Sequence, residues 1–291
     1  MAQPLPDLSD VSFAESAQPV NRTRRSESIP RRLVAEGKYH LLPVYALLTT
    51  SDLAREGIRN SGSFRFADHI YRNEPSGRYG VGRLLDTVLL KLRGARSMRS
   101  RFFHSRREIL GAINAMSGSS QRVVVSVPCG ISRDLYEVAE NLHATAPDLY
   151  ENVRFIGIDL DSEAVDLSRE LTREHACFDF HRADALSDGS IPSDVDVIVS
   201  LGFGEFLPDE TLLEFYRRCH ASLNPSGRFV TSAMNRDRIS DYLARELAEL
   251  YTHYRSAEQI TELLSAAGFT HIRTSRDKVG LQTLAVAEKA P

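Results

Sequence analysis

The apolar positions of this chain fall into two regimes. From residue 122 onward, short β-branched runs alternate with longer stretches of helical period. Val123, Val124, Val125 and Val127 make the first run, which ends at Pro128-Cys129-Gly130. The pattern predicts strands over 122–127, 153–158, 178–182, 195–200, 228–233, 270–276 and 282–288. It predicts helices over 134–145, 162–173, 209–223, 236–250 and 256–267. Serial strand–helix units of this kind build an α/β fold with a mainly parallel, doubly wound seven-stranded sheet. Asp277 to Leu281 is short enough to join the last two strands as an antiparallel hairpin.

Before residue 119 there is no strand pattern. Residues 1–28 are polar and aperiodic and read as a flexible arm, with Arg22, Arg24 and Arg25 near its end. Residues 29–118 read as helices. Leu33, Leu41, Leu42, Tyr45, Leu47 and Leu48 predict one or two, interrupted at Pro43. Phe64, Phe66, Ile70 and Tyr71 predict another, followed by a turn-rich loop over 73–80. Val81, Leu84, Leu85, Val88, Leu89 and Leu92 recur at helical spacing, as do Phe102, Phe103, Ile109, Leu110 and Ile113. This lobe cannot extend the sheet, so it is expected to cap a sheet domain spanning 119–291.

With 291 residues, 42% of them hydrophobic, the chain can bury one full core plus an appended lobe. It has no apolar run of about 18 residues, the length a membrane span needs. The start shows no signal-peptide pattern, and Cys129, Cys177 and Cys219 have no metal-ligand spacing. A cytoplasmic, reducing setting without a metal is expected. The net charge of −3 hides an asymmetry. Residues 1–107 carry 19 Lys and Arg against 10 Asp and Glu; the remainder carries 17 against 29. Either the basic lobe meets an anionic substrate, or it is a solvated arginine-rich surface.

The order of strands, tight loop and acid-ended second strand resembles the class I S-adenosylmethionine-dependent methyltransferases over about residues 120–290. That resemblance implies a Rossmann-like fold with S-adenosylmethionine as cofactor. The loop Pro128-Cys129-Gly130 stands at the family's glycine-rich turn, where a small residue lets backbone approach the ligand. Ser126 stands where the family usually has an acid, and Asp134 is a candidate replacement. Asp159 ends the second strand and can accept from both ribose hydroxyls, with Asp161 as the rival acid. Leu160 would pack an adenine face. Asp184 would accept from the adenine amine beside the Ala185 N–H, or else simply start a turn. Ser200, Leu201 and Gly202 would lie under the sulfonium. Phe203 and Phe206 would face that cation or belong to the core. Glu205 would act as a base or order its loop.

The same resemblance places the acceptor under a helical lid. Tyr39, His40, Tyr71, Arg78, Tyr79, Arg99, Arg101 and His104 are its polar candidates, and Asn235 is counted with the substrate and lid residues. Tyr79, in a loop bracketed by Gly77, Gly80 and Gly82, is expected to close over the ligand. Arg101 is expected to pair with a carboxylate. His220 reads as structural. The expected reaction is methyl transfer to a small molecule; no membrane partner is expected, and nucleic acid is not the expected substrate. Two alternatives stand beside it. One is a cyclase of the azetidine-2-carboxylate synthase type, releasing methylthioadenosine; the other is a nucleic-acid methyltransferase using the basic lobe. The glycine pattern does not fit a nicotinamide enzyme, because Pro128 to Arg133 is not G-x-G-x-x-G.

Overall fold

A computed structural model describes residues 22–115 and 121–291. Seven strands form one sheet: β1 (Arg122–Ser126), β2 (Val153–Asp159), β3 (Phe178–Arg182), β4 (Val195–Ser200), β5 (Leu223–Met234), β6 (Thr270–Arg276) and β7 (Gln282–Glu288). Their order is β3-β2-β1-β4-β5-β7-β6. Strands β1 to β5 pair in parallel, and β7 runs antiparallel to both β5 and β6. The chain reverses its winding direction between β1 and β4, so the crevice for a ligand lies at their carboxyl ends.

Among the described residues, six helices precede the sheet: α1 (Arg22–Ala35), α2 (Leu41–Leu48), α3 (Asp52–Arg59), α4 (Phe64–Arg72), α5 (Tyr79–Lys91) and α6 (Arg93–Ala115). Six more connect the strands: α7 (Arg133–Thr145), α8 (Pro147–Glu151), α9 (Ser162–Leu171), α10 (Asp209–Ser222), α11 (Arg238–Ala248) and α12 (Ala257–Ala266). The central strands read as unbroken apolar runs because both faces are covered. Val125, Ile156 and Ile198 cluster with Phe215 of α10 and Leu264 of α12. Val124, Phe155 and Val197 cluster with Ile109 and Ile113 of α6 and Leu135 of α7.

Several expectations change. The arm expected at 1–28 lies outside the described residues up to position 21, and from Arg22 the chain is already helical. Pro43 does not interrupt a helix; it sits in the first turn of α2, where its missing N–H leaves no bond unmade. Strand β5 starts at Leu223, which pairs with Val195 as soon as α10 ends.

The largest departure is in α5. Its apolar stripe, Val81, Leu84 and Val88, faces outward, while Asp86 is fully buried. The reason is polar. Asp86 Oδ1 accepts from Ser51 Oγ at 2.5 Å and the Leu53 N–H at 2.9 Å. Its Oδ2 accepts from the Ser76 N–H at 3.0 Å and lies 2.7 Å from His69 Nε2. Burial pushes this carboxyl up, but the bonds from Ser51, Leu53, Ser76 and His69 outweigh it and hold the pKa below its ordinary value. One buried acid therefore fixes α5 to α3, α4 and the intervening loop.

Helix α6 joins the two parts. Its first half packs in the lobe, where Phe102 stacks on Tyr71 with ring centroids 4.6 Å apart. Its second half, through Ile109 and Ile113, enters the sheet core. Ion pairs dock the rest: Arg65–Glu163 at 2.5 Å, Asp68–Arg133 at 2.5 Å, Lys38–Glu246 at 2.6 Å, Arg101–Glu205 at 3.1 Å, and Arg106 with Glu137. Four basic residues of the lobe, Lys38, Arg65, Arg101 and Arg106, thus meet acids of the chain's own sheet domain. Neither a free anion-binding surface nor a merely solvated face describes these residues.

Replacing Asp86 by Ala should remove about 3–5 kcal/mol of stability at neutral pH, as breaking a buried ionic cluster does. The depressed pKa sets the sign. Asp86 stabilises above the ordinary carboxylate range, and its contribution fades as pH falls through its lowered value. Urea denaturation of wild type and D86A at pH 7 and pH 3 should therefore show a gap that shrinks in acid.

Candidate active site at the carboxyl edge

Strand β1 ends on buried Ser126, and a cis Val127–Pro128 bond follows. Gly130 has φ +52, and a Cβ there would lie 3.1 Å from Phe64 Cβ of α4. The turn needs glycine both for its backbone and for the close approach of the cap. Its N–H donates to Asp159 Oδ2 at 2.8 Å, and the Asp161 N–H donates to Asp159 Oδ1 at 2.9 Å. Ser168 Oγ donates to the Gly130 carbonyl at 3.0 Å and accepts from the Ser132 N–H at 3.1 Å. The loop and the strand-end acid are thus one bonded unit. Burial pushes the Asp159 carboxyl up against the opposing effect of these N–H donors. The rival, Asp161, caps α9 through the Glu163 N–H.

Leu160 is exposed just beyond β2. Asp184 Oδ1 accepts from the Leu186 N–H at 2.9 Å, so it does build a turn. Its other oxygen and the Ala185 N–H have no partner among the described residues. Two acceptors, one donor and an apolar face at the ends of β2 and β3 fit a nucleoside. Cys129 is packed instead: its sulfur lies 3.1 Å from where a Cβ on Gly157 would be, and burial pushes its thiol pKa up. Asp134 opens α7, its Oδ1 accepting from the Leu135 N–H at 2.9 Å, and burial pushes its pKa up to about 6. Among the described residues, no cluster of His, Cys, Asp and Glu is arranged to hold a metal.

The loop after β4 makes the second wall. Ser200 is buried in the ladder opposite Thr231, and Leu201 packs against the sheet core. Gly202 has φ +71, and its N–H donates to Ser232 Oγ at 3.1 Å. The Arg101 guanidinium lies over Gly202, where a Cβ would come within 2.8 Å of Nη1. Arg101, 5% exposed, donates from Nη1 to Glu205 Oε1 at 3.1 Å and from Nη2 to the Tyr71 hydroxyl at 2.9 Å. Gln282 Nε2 donates to the same Glu205 oxygen at 3.3 Å. Glu205 Oε2 has no partner among the described residues. Phe203 belongs to the core, edge-on to Phe215 at 5.2 Å. Phe206 packs on Gly62 of the cap, its Cζ 3.0 Å from where a Cβ would stand.

The lid candidates separate. Tyr71 and Arg101 reach this wall. Tyr79 is 82% exposed and Tyr39 60%, and Arg78 is exposed as well. The start of α5, which holds Tyr79, is clamped: the Arg78 N–H donates to the Thr50 carbonyl, and a Cβ on Gly82 would lie 2.2 Å from that oxygen. Asn235 ties β5 to β7 through Thr283 Oγ1 at 3.2 Å. His220 packs edge-on against Phe269.

Two functional partners had no sequence signal. Gln282 looks like any strand residue, and Arg255 like any arginine. Arg255 fixes the loop around Glu205, donating to the Gly204 and Leu207 carbonyls at 2.6 and 2.5 Å.

The family model described as "Putative methyltransferase" matches residues 48–289. The chain belongs to this family, and its fold is that of the class I S-adenosylmethionine-dependent methyltransferases, with S-adenosylmethionine as cofactor. A "Probable S-adenosylmethionine-dependent methyltransferase" of Mycolicibacterium smegmatis is 32% identical over 121 residues, 40% of this chain and 43% of that protein. The match thus spans less than half the length of that curated relative. A "possible exported protein" from Bordetella parapertussis has a similar structure, with TM-score 0.76 and 22% identity over 93% of this chain and 96% of that one. Human N-acetylserotonin methyltransferase, solved with S-adenosylmethionine, gives TM-score 0.51 and 15% identity over 84% and 72%. At these identities the structural likeness concerns the fold.

Asp159→Asn should weaken S-adenosylhomocysteine binding by roughly ten- to a hundredfold, the range for a hydrogen bond to a charged acceptor; calorimetry checks this. Asp134 has a raised pKa, so the native fold loses stability as pH rises from the ordinary carboxylate range through about 6. Thermal melts of Asp134→Asn should lack that decline between pH 4 and 7.

Proposed function

We propose that this chain transfers the methyl group of S-adenosylmethionine to a small molecule held between the helical cap and the carboxyl edge of the sheet. Residues 29–118 act as the substrate lobe and residues 119–291 as the cofactor domain. The observation that carries this reading is Glu205. It stands on the loop after β4, one oxygen engaged by Arg101 and Gln282 and the other without a partner among the described residues.

The cofactor supplies an electrophilic methyl on a sulfonium, already activated for in-line attack. The chain supplies placement. Gly130 and Asp159 hold the nucleoside end, with Leu160 and Asp184 on the base. Asp134 is the acid on hand for the amino end, since β1 offers only Ser126. Glu205 Oε2 accepts the hydrogen bond of an incoming hydroxyl or amine and takes its proton as the new bond forms. Arg101 and Gln282 orient that carboxylate, and Phe64 closes the cap over the glycine turn, excluding water. The pairing of Arg65, Arg101 and Arg106 with the chain's own acids speaks against a phosphate-tracking surface, and hence against nucleic acid as substrate.

Three further points belong to this reading. The setting is cytoplasmic: the three cysteines are unpaired. No helix among the described residues is long and apolar enough to cross a membrane. Tyr39, Arg78 and Tyr79 serve the outer surface of the lid.

Ser126 favours a second reaction. With no acid at the end of β1, the ligand's amine is less held as an ammonium, and a free amine can close a ring on its own sulfonium carbon. Incubation of the protein with S-adenosylmethionine alone separates the two readings. Methyl transfer predicts no methylthioadenosine above a protein-free control, and S-adenosylhomocysteine once hydroxyl- or amine-bearing acceptors are supplied. Glu205→Gln should then lower turnover by roughly 10²–10⁴-fold, the span of general-base catalysis, with S-adenosylhomocysteine affinity unchanged. Methylthioadenosine with a cyclised amino acid would establish the cyclase instead.

A further inference from the structure

Helix α5 turns a row of large apolar side chains to solvent. Val81, Leu84, Val88 and Leu92 are all exposed, Leu84 by 65%. Their spacing of three and four residues sets them in one line along the helix. The bonds on Asp86 are the cause, since they give it the inner position and turn the stripe outward. Helix α2 extends the face. It packs on α5, and its Val44 and Leu47 are exposed too. The Thr50 carbonyl, just past the end of α2, lies against Gly82, so the two helices approach closely there. Scattered exposed apolar residues need no explanation, but an adjoining set on two helices does.

The charges beside this row have one sign. Lys91 follows Val88 by three residues and Leu84 by seven, so it lies at the edge of the stripe. Arg83 and Arg78 stand toward the amino end of the helix. All three are exposed, and none forms an ion pair among the described residues. From Pro75 to Arg107 the sequence has one acid, Asp86, and it is fully buried. These cations are distinct from the four that dock the lobe on the sheet domain. Tyr79 is exposed at the start of the same helix, and tyrosine suits a boundary between water and lipid.

An apolar row with basic flanks and no exposed acid is complementary to an anionic bilayer, which offers hydrocarbon beneath negative headgroups. A second copy fits less well, because a two-fold contact would set the basic flanks against each other. A nucleic acid would engage the cations and leave the valines and leucines in water.

We propose that α5, with the end of α2, is a peripheral docking face for an anionic lipid surface. The helix lies in the plane of the headgroups. Its apolar row enters the acyl boundary, and Arg78, Arg83 and Lys91 meet the negative charge. The expectation of no membrane partner rests on the lack of an apolar span, which does not bear on a face that lies on the lipid. This inference does not depend on the methyl-transfer reading.

Flotation of the full chain with lipid vesicles is the test. Phosphatidylcholine vesicles carrying about 30% phosphatidylserine should bind it at least tenfold more tightly than phosphatidylcholine alone, and the binding should weaken as salt rises. Leu84→Ser combined with Val88→Ser should lower that affinity at least tenfold. Both residues face solvent, so the melting temperature should be nearly unchanged. Arg83→Glu combined with Lys91→Glu should lower it as much while leaving the apolar row intact. No binding to the anionic vesicles, equal binding to both kinds, or binding that survives either double variant would overturn the proposal. So would a dimer in sedimentation velocity that the double serine variant dissolves, since a second copy would then cover the row. Tighter binding to a single-stranded RNA than to the vesicles, unchanged in the double serine variant, would assign the cations to nucleic acid and overturn it as well.

Discussion

A buried guanidinium joins the two parts of this molecule. Arg101 comes from the helix that belongs to both parts, lies on Gly202 at the end of β4, and holds Glu205 on one side and Tyr71 on the other. A charge so deeply placed is tolerable only when its partners are in position. Every neighbour is therefore constrained. Gly202 has no side chain because the guanidinium occupies that volume, and Glu205 has one oxygen engaged and one left over. The Arg255 clamp on the Gly204 and Leu207 carbonyls keeps that loop where Arg101 needs it.

The same economy explains part of the uneven charge of the chain. A lobe with nearly twice as many basic as acidic residues invites the idea of an anionic partner. For four of those basic residues the partner is the chain's own sheet domain. Glu163, Glu137, Glu246 and Glu205 meet Arg65, Arg106, Lys38 and Arg101. Partly exposed pairs such as Arg65–Glu163 add little stability each and are screened by salt. Their work is orientation: they set how the cap sits on the edge of the sheet without welding it there.

The sheet was legible because its strands are buried on both faces and so write themselves as β-branched runs. Asp159 was legible for a related reason, since an acid just after such a run sits at the carboxyl edge. The cap was harder to read. The stripe of Val81, Leu84 and Val88 has the period of a buried face, yet Asp86 takes the inner position because four hydrogen bonds converge on it. Local periodicity cannot reveal a bonding network built from residues 51, 53, 69 and 76. Arg101 is one of six arginines in its helix, and nothing near it in sequence marks it as the buried one. Gln282 matters only through the pairing of β7 with β5. Phe203 went the other way: its spacing after β4 suited a ligand contact, but the core beside Phe215 claimed it.

The central claim is that one carboxyl-edge site, walled by the Gly130 turn and the Gly202–Glu205 loop, holds the cofactor under the cap. A crystal structure of the full chain with S-adenosylhomocysteine tests it most directly. The account predicts the ribose hydroxyls on Asp159, the adenine beside Leu160 and Asp184, and the sulfur toward Gly202 and Glu205. A ligand seated elsewhere, or a ribose without contact to Asp159, would contradict it.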